Sequence, residues 1–264
     1  MRPALLVSCF LALTLTLVAA PASAIKKVPY PEIRVRVLPP FKGDPALTDL
    51  RKKLADAVAA KDVAPAAALV APGFVWTAGG VEVDEFDPKR DAVHNFKVAF
   101  GFRAFGKDAD GPTEIGPQWA LLDFLAKDEV LTQEPGSKFV CGSQLAKFTD
   151  AAALDEALTR VDEENELSEW VYSIDEITLT ATPDGNATVA KVKGTAMPIA
   201  SVHPAAPAGN APASSPPPTH FELLLPTGKT GWTPVKYLHP LFVDRLCFTK
   251  LGDDWKIAVY DQAE

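Results

Sequence analysis

The sequence predicts an α+β protein, in which a helix-rich N-terminal α+β domain is followed by a small β-barrel. In the first half of the chain apolar residues recur at helical spacing, as at Leu50, Leu54 and Val58. In the last third they occur in short runs that Gly- and Pro-containing turns separate, a pattern typical of strands. The change of period predicts domains at residues 25–165 and 168–264.

The N-terminus has the three parts of a secretory signal peptide. Arg2 is followed by an uncharged apolar run at residues 5–20 and by an A-x-A motif that ends at Ala24. We therefore expect residues 1–24 to be removed and the product to be exported to the periplasm or secreted. The run is shorter than a membrane span, so no transmembrane anchor is expected after cleavage.

The charge of the chain argues against some classes of partner. Asp and Glu number 34 against 26 Lys and Arg, which gives a formal net charge of −8. An acidic chain is repelled by nucleic acid and by anionic membrane surfaces. We expect no nucleic-acid partner.

The first elements after the leader are a strand and two helices. At 33–37 Ile and Val alternate with Arg, which predicts a strand. Asp44 can cap a helix whose first position suits Pro45. A short helix at 62–71 and a strand at 74–76 are expected next.

Three more helices complete the predicted N-terminal domain. Asp87 and Pro88 repeat the cap-then-proline signal. Residues 101–116 contain Gly and Asp and predict a loop. Apolar stripes then predict helices at 117–127 and 150–161.

The predicted barrel consists of short strands around one low-complexity segment. Residues 203–219 are rich in Pro and Ala, cannot form a core, and predict a solvated loop. Turn signals separate the strands, which are expected at 177–179, 189–192, 221–225, 232–235, 243–250 and 255–260.

Residues 177–238 resemble the bacterial SH3 domain. The opening at 179–189 is similar to that family's strand, proline turn and second strand. The close has the spacing G-x-x-G-W at Gly228, Gly231 and Trp232, before a tyrosine and a leucine. The resemblance implies a small SH3-like β-barrel.

The same resemblance implies a cell-envelope module that binds a wall component or an envelope protein. It would do so through the aromatic side chains of Trp232, Tyr237 and Phe221, since Phe221 takes the family's internal tryptophan position. Packing inside the barrel is the alternative role of such aromatic residues. Because fold does not fix function, this expectation is an analogy.

Residues 50–80 are similar to the start of an NTF2-like cone, and residues 244–257 look like its final strand pair or like an extension of the SH3 unit. This resemblance implies a small-ligand-binding protein or an enzyme with a cavity in the N-terminal domain. Asp87, Asp91 and His94 would lie at that cavity, where they could bind a divalent cation or act in acid-base chemistry. Enrichment of acids in a helix's first turn explains the same residues without a site.

Two cysteines remain after the leader, Cys141 and Cys247. In an oxidising compartment an even pair predicts a disulfide, with two reduced buried thiols as the alternative. Cys141 lacks the neighbouring histidine that a nucleophile requires. The sequence predicts no catalytic residues, no metal and no cofactor, and favours a non-enzymatic protein.

Overall fold

The computed structural model describes residues 25–78, 81–102, 117–142, 146–161, 169–204 and 217–263. The predicted signal peptide and most of the predicted loops at 101–116 and 203–219 lie outside these ranges. Within them, no helix combines the length and the apolar character needed to cross a membrane.

Five α-helices occur in the described residues, and four of them follow an aspartate whose side chain accepts a hydrogen bond from a main-chain N–H of the first turn. Asp44 and Asp62 are N-caps whose Oδ1 atoms accept hydrogen bonds from main-chain N–H groups two residues on. Pro45 occupies the first helical position, where its missing N–H costs nothing. The helices are α1 (Pro45–Ala59), α2 (Val63–Ala67), α3 (Ala92–Ala99), α4 (Trp119–Lys127) and α5 (Ala151–Val161).

Strands form most of the fold. From the N-terminal half come β1 (Ile33–Val37), β2 (Val70–Ala78), β3 (Val81–Glu82), β4 (Leu131–Gln133), β5 (Phe139–Gly142) and β6 (Ala146–Phe148). The remainder are β7 (Trp170–Tyr172), β8 (Ile177–Thr180), β9 (Thr188–Val192), β10 (Thr195–Pro204), β11 (Pro218–Leu224), β12 (Thr230–Pro234), β13 (His239–Pro240), β14 (Arg245–Leu251) and β15 (Asp254–Gln262).

The strands form two sheets. The six-stranded sheet has the order β3-β2-β15-β14-β5-β4, in which only β2 and β15 are parallel. The nine-stranded sheet has the order β13-β7-β10-β11-β12-β8-β9, and β1 joins it by pairing with both β10 and β6. A 3-10 turn at Val235–Tyr237 links β12 to β13.

The predicted fold class, a helix-rich N-terminal α+β domain followed by a small SH3-like barrel, is wrong. The protein is mostly β, and its larger sheet is a curled antiparallel half-barrel. Strands of the N-terminal half contribute to both sheets, because β1 pairs with β10 while β14 and β15 pair with β5 and β2. Local periodicity identifies elements, but it does not show which distant strands they pair with.

Three apolar clusters hold the sheets and helices together. The largest fills the space between α1–α4 and the six-stranded sheet, around the buried rings of Phe96, Phe100 and Phe248. A second packs α5 and β1 against Trp170. The third lies inside the half-barrel, around Leu179. Helices α1–α4 therefore pack on the six-stranded sheet through a continuous apolar core.

Candidate functional site: a cleft beside helix α4

The predicted acidic corner forms the entry to α3. Asp91 is the N-cap of this helix, and its Oδ1 accepts a hydrogen bond from the main-chain N–H of His94 at 2.8 Å. The Asn95 side chain donates to the Asp87 carbonyl oxygen at 2.9 Å and accepts from the Asp87 N–H at 3.2 Å. These bonds fix the chain before α3, and a binding role for the corner stays a prediction. Among the residues described, no group of three or more His, Cys, Asp or Glu side chains is arranged to hold a metal ion.

The three predicted aromatic binding residues do not lie on one surface. Trp232 is half-buried on β12, and its ring lies 6.1 Å from that of His203. Tyr237 is 49% exposed in the 3-10 turn. Phe221 packs against the core of the half-barrel. The next residue on β11, Glu222, points to the opposite face of the sheet and is the register partner of Trp232. Of the three side chains, Tyr237 is therefore exposed, whereas Trp232 and Phe221 are half-buried on opposite faces of the sheet.

Cys141 and Cys247 form a disulfide that joins β5 to β14. Cys247 is buried and Cys141 is half-buried. The disulfide therefore crosslinks two neighbouring strands of the six-stranded sheet.

A cleft of about 580 Å³ lies between α4 and the strands β7 and β13. Its volume is in the range of pockets that bind small molecules. The cleft is lined by Ala120, Asp123, Phe124, Lys127, Asp128, Glu129, Val130, Tyr172, His239, Pro240 and Val243.

The helical wall of the cleft presents an exposed aromatic side chain. Helix α4 buries Leu122, Leu125 and Ala126 in the core beneath it. Phe124 lies off this buried face and is 58% exposed. An exposed phenyl ring beside a concave apolar surface is a feature of binding sites.

The opposite wall is a pair of rings on adjacent strands. His239 and Tyr172 are register partners of β13 and β7, and their ring centroids are 5.5 Å apart at an interplanar angle of 30°. Burial lowers the pKa of His239, and the smaller effect of the Asp175 carboxylate opposes this shift. Burial also raises the pKa of Tyr172 to about 12. Both rings are therefore uncharged at neutral pH.

The rim of the cleft is acidic. The charged side chains that line the cleft are three carboxylates, those of Asp123, Asp128 and Glu129, and one ammonium group, that of Lys127. Lys127 pairs with Asp123 at 2.7 Å, and the guanidinium of Arg51 donates to the main-chain oxygen of Asp128. In the part of the chain that the structure describes, Glu129 forms no salt bridge. Its exposed carboxylate is the negative charge available to a ligand.

Sequence reasoning missed this cleft, since its residues come from three distant segments. The available signal was Phe124, an aromatic residue outside the apolar stripe of the predicted helix at 117–127. The strand that contributes His239 is two residues long and carries no periodicity.

No family model, curated protein or solved structure matches this chain. The resemblances to bacterial SH3 and NTF2-like proteins therefore stay predictions, and function has to be argued from the geometry of the sites.

Proposed function

We propose that this is an exported binding protein whose cleft beside α4 takes a small primary amine with an apolar body. The observation that carries the proposal is the exposed ring of Phe124, which lines the same cleft as the uncharged Tyr172–His239 pair, beneath an acidic rim. The disulfide Cys141–Cys247 supports export, because disulfides persist in oxidising compartments.

The two parts of the ligand follow from the two parts of the cleft. An apolar or aromatic body is removed from water between Phe124 and the opposite rings, which is favourable in proportion to the area buried. An ammonium group at the rim is attracted by the carboxylate of Glu129. Because this carboxylate is exposed, its contribution is at most about 1 kcal/mol and decreases with salt.

The experiment is calorimetry with a matched pair of probes, 2-phenylethylamine and the neutral 2-phenylethanol. We expect the amine to bind more tightly than the alcohol at low salt. Phe124→Ala should weaken both by roughly tenfold, a loss of about 1.4 kcal/mol. Glu129→Gln should weaken the amine alone, by about threefold.

The control variant is Leu251→Ala, which removes another exposed apolar side chain at the end of β14. It should bind both probes like the parent protein. Equal affinity for amine and alcohol, or unchanged binding by Phe124→Ala, contradicts the proposal.

A second candidate function is attachment to a wall component or an envelope protein. The observation in its favour is Tyr237, which is 49% exposed and carries the ammonium group of Lys236 at 4.9 Å from its ring centroid. We expect sedimentation with purified peptidoglycan sacculi to depend on this ring and to be lost in Tyr237→Ala. Failure of the parent protein to sediment argues against this function.

A further inference from the structure

Two histidines lie opposite each other on neighbouring strands of the half-barrel. His203 on β10 and His220 on β11 are register partners, and their ring centroids are 6.3 Å apart. Side chains paired directly across an antiparallel sheet have Cβ atoms about 4.5–5.5 Å apart, within reach of one shared ligand. The rings lie outside the cleft beside α4 and use none of its residues.

The hydroxyl group of Thr219 determines which nitrogen of His220 is free. Its single proton is donated to the main-chain oxygen of His203, at 3.3 Å. The Thr219 oxygen also lies 3.1 Å from Nδ1 of His220, so this nitrogen is engaged by the hydroxyl group and Nε2 is the one left for a ligand. A metal ion bound at Nε2 would leave the proton on Nδ1, where the Thr219 oxygen can accept it.

The ring of His203 also contacts the ring of Trp232. The two rings are 6.1 Å apart and meet edge to face, at 84°. Glu222, the nearest carboxylate along β11, accepts a hydrogen bond from Thr230 at 2.6 Å and pairs with Lys27 at 3.5 Å. The surface therefore offers two imidazole nitrogens, while its carboxylate is engaged elsewhere.

We infer that His203 and His220 form a two-histidine site for a divalent transition-metal ion, with copper(II) as the preferred ion and water as the remaining ligands. A bond of about 2.0–2.1 Å from nitrogen to metal places the metal roughly 3.2 Å from the ring centroid. Two rings that share one metal ion can then have centroids at most about 6.4 Å apart. The separation of 6.3 Å between the two ring centroids lies within this limit.

The chemistry of the donors selects the class of metal. Imidazole nitrogen suits copper, nickel and zinc, and among divalent ions the affinity is highest for copper. Calcium and magnesium require oxygen ligands, whereas the two groups that face each other here are imidazole rings. The two cysteines are joined in a disulfide and offer no thiolate. Thr219 acts as a positioning residue, since its hydroxyl group hydrogen-bonds Nδ1 of His220.

The site is tested by titrating the oxidised protein, purified without an added histidine tag, with copper(II) in a calorimeter. We expect one copper ion per chain at this site. His203→Gln and His220→Gln should each lower the affinity by roughly 100-fold, because the second nitrogen of a chelate binds at a high effective concentration. Bound copper should also quench the fluorescence of Trp232, and Trp232→Phe should lose this signal while it keeps the heat of binding.

Matched variants distinguish a specific copper site from adventitious copper binding and from loss of the fold. Thr219→Val should lower copper affinity by about tenfold, whereas Thr219→Ser, which keeps the hydroxyl group, should not. Val202→Ala removes an exposed side chain next to His203 on β10 and should leave the affinity unchanged. The inference is overturned if the parent protein binds no copper, or if either histidine variant keeps the parent affinity.

Discussion

Cys141 on β5 and Cys247 on β14 occupy the same register position of neighbouring antiparallel strands, and their Cα atoms are 4.0 Å apart. The bond between them closes a loop of 106 residues, which includes all of β6 to β13. A crosslink over such a long loop reduces the conformational entropy of the unfolded chain.

The double variant Cys141→Ala/Cys247→Ala is therefore expected to lose between about 2 and 5 kcal/mol of unfolding free energy. Urea unfolding with and without dithiothreitol measures the effect. The reductant should lower the midpoint of the parent protein and leave that of the double variant in place. A parent protein whose midpoint is insensitive to the reductant contradicts this account.

Replacement of Asp91 by Ala should destabilise the protein by about 1 kcal/mol, because it removes the N-cap of α3. Asp91→Asn keeps an oxygen that can accept the hydrogen bond and should cost much less. Asp84→Ala, at an exposed turn residue nearby, is the control and should change stability by no more than about 0.5 kcal/mol. Chemical denaturation of the three variants gives the comparison, and equal losses for Asp91→Ala and Asp84→Ala would count against the capping role.

Gly231 is the second glycine of the G-x-x-G-W pattern, and its side of β12 packs closely on β8. A Cβ at this position would lie 2.8 Å from the Cβ of Leu179, which is fully buried. Gly231→Ala should therefore destabilise the protein by about 1–3 kcal/mol through overpacking. Gly73→Ala on β2, where a Cβ meets nothing within 4 Å, should stay within about 0.5 kcal/mol. Thermal unfolding of both variants measures these losses. A Gly231→Ala protein as stable as the parent protein would refute the packing argument.

Acidification should destabilise the protein through His239. Because burial lowers its pKa in the folded state, the unfolded chain binds more protons as the pH falls below about 6.5, the ordinary pKa of histidine. The stability contributed by neutral His239 is thus present above this pH and is lost below it. His239→Gln should lose less stability than the parent protein between about pH 7.5 and pH 5.5, as measured by urea midpoints.

Val243→Ala is the control for this pH effect, since Val243 lines the same cleft but does not titrate. Val243→Ala should shift the urea midpoints at both pH values. The difference between the two midpoints should stay equal to that of the parent protein. If His239→Gln shows the parent's full difference, another group is responsible for the pH dependence.

The local features of the fold could be predicted from the sequence where one short segment determines them. The strand at 33–37 is β1 over its full length, and Asp44 with Pro45 marks the start of α1. The start of α3 is different, since the helix begins at Ala92 rather than near Pro88. The Asn95 side chain bonds both main-chain groups of Asp87, so residues before Asp91 form turns.

The pairing of distant strands and the cleft could not be predicted in this way. Pro198 and Gly194 interrupt the alternation in and before β10, so this strand, the neighbour of β7, β11 and β1, carries no clear signal. The cleft depends on how α4 packs beside β7 and β13, a tertiary relation between segments that are individually ordinary. The hydroxyl group of Thr219, which orients His220, likewise acts only once β10 and β11 are paired.

The position of β15 between β2 and β14 determines when the six-stranded sheet can fold. β15 follows β2 and β14 along the chain and is an inner strand of their sheet, so a nascent chain cannot complete that sheet until the residues up to Gln262 have emerged. Until then β2 and β14 expose unpaired edges, which are prone to aggregation. Truncation of the last ten residues should accordingly remove the fold as a whole, and folding should be slow because its decisive contacts span most of the chain.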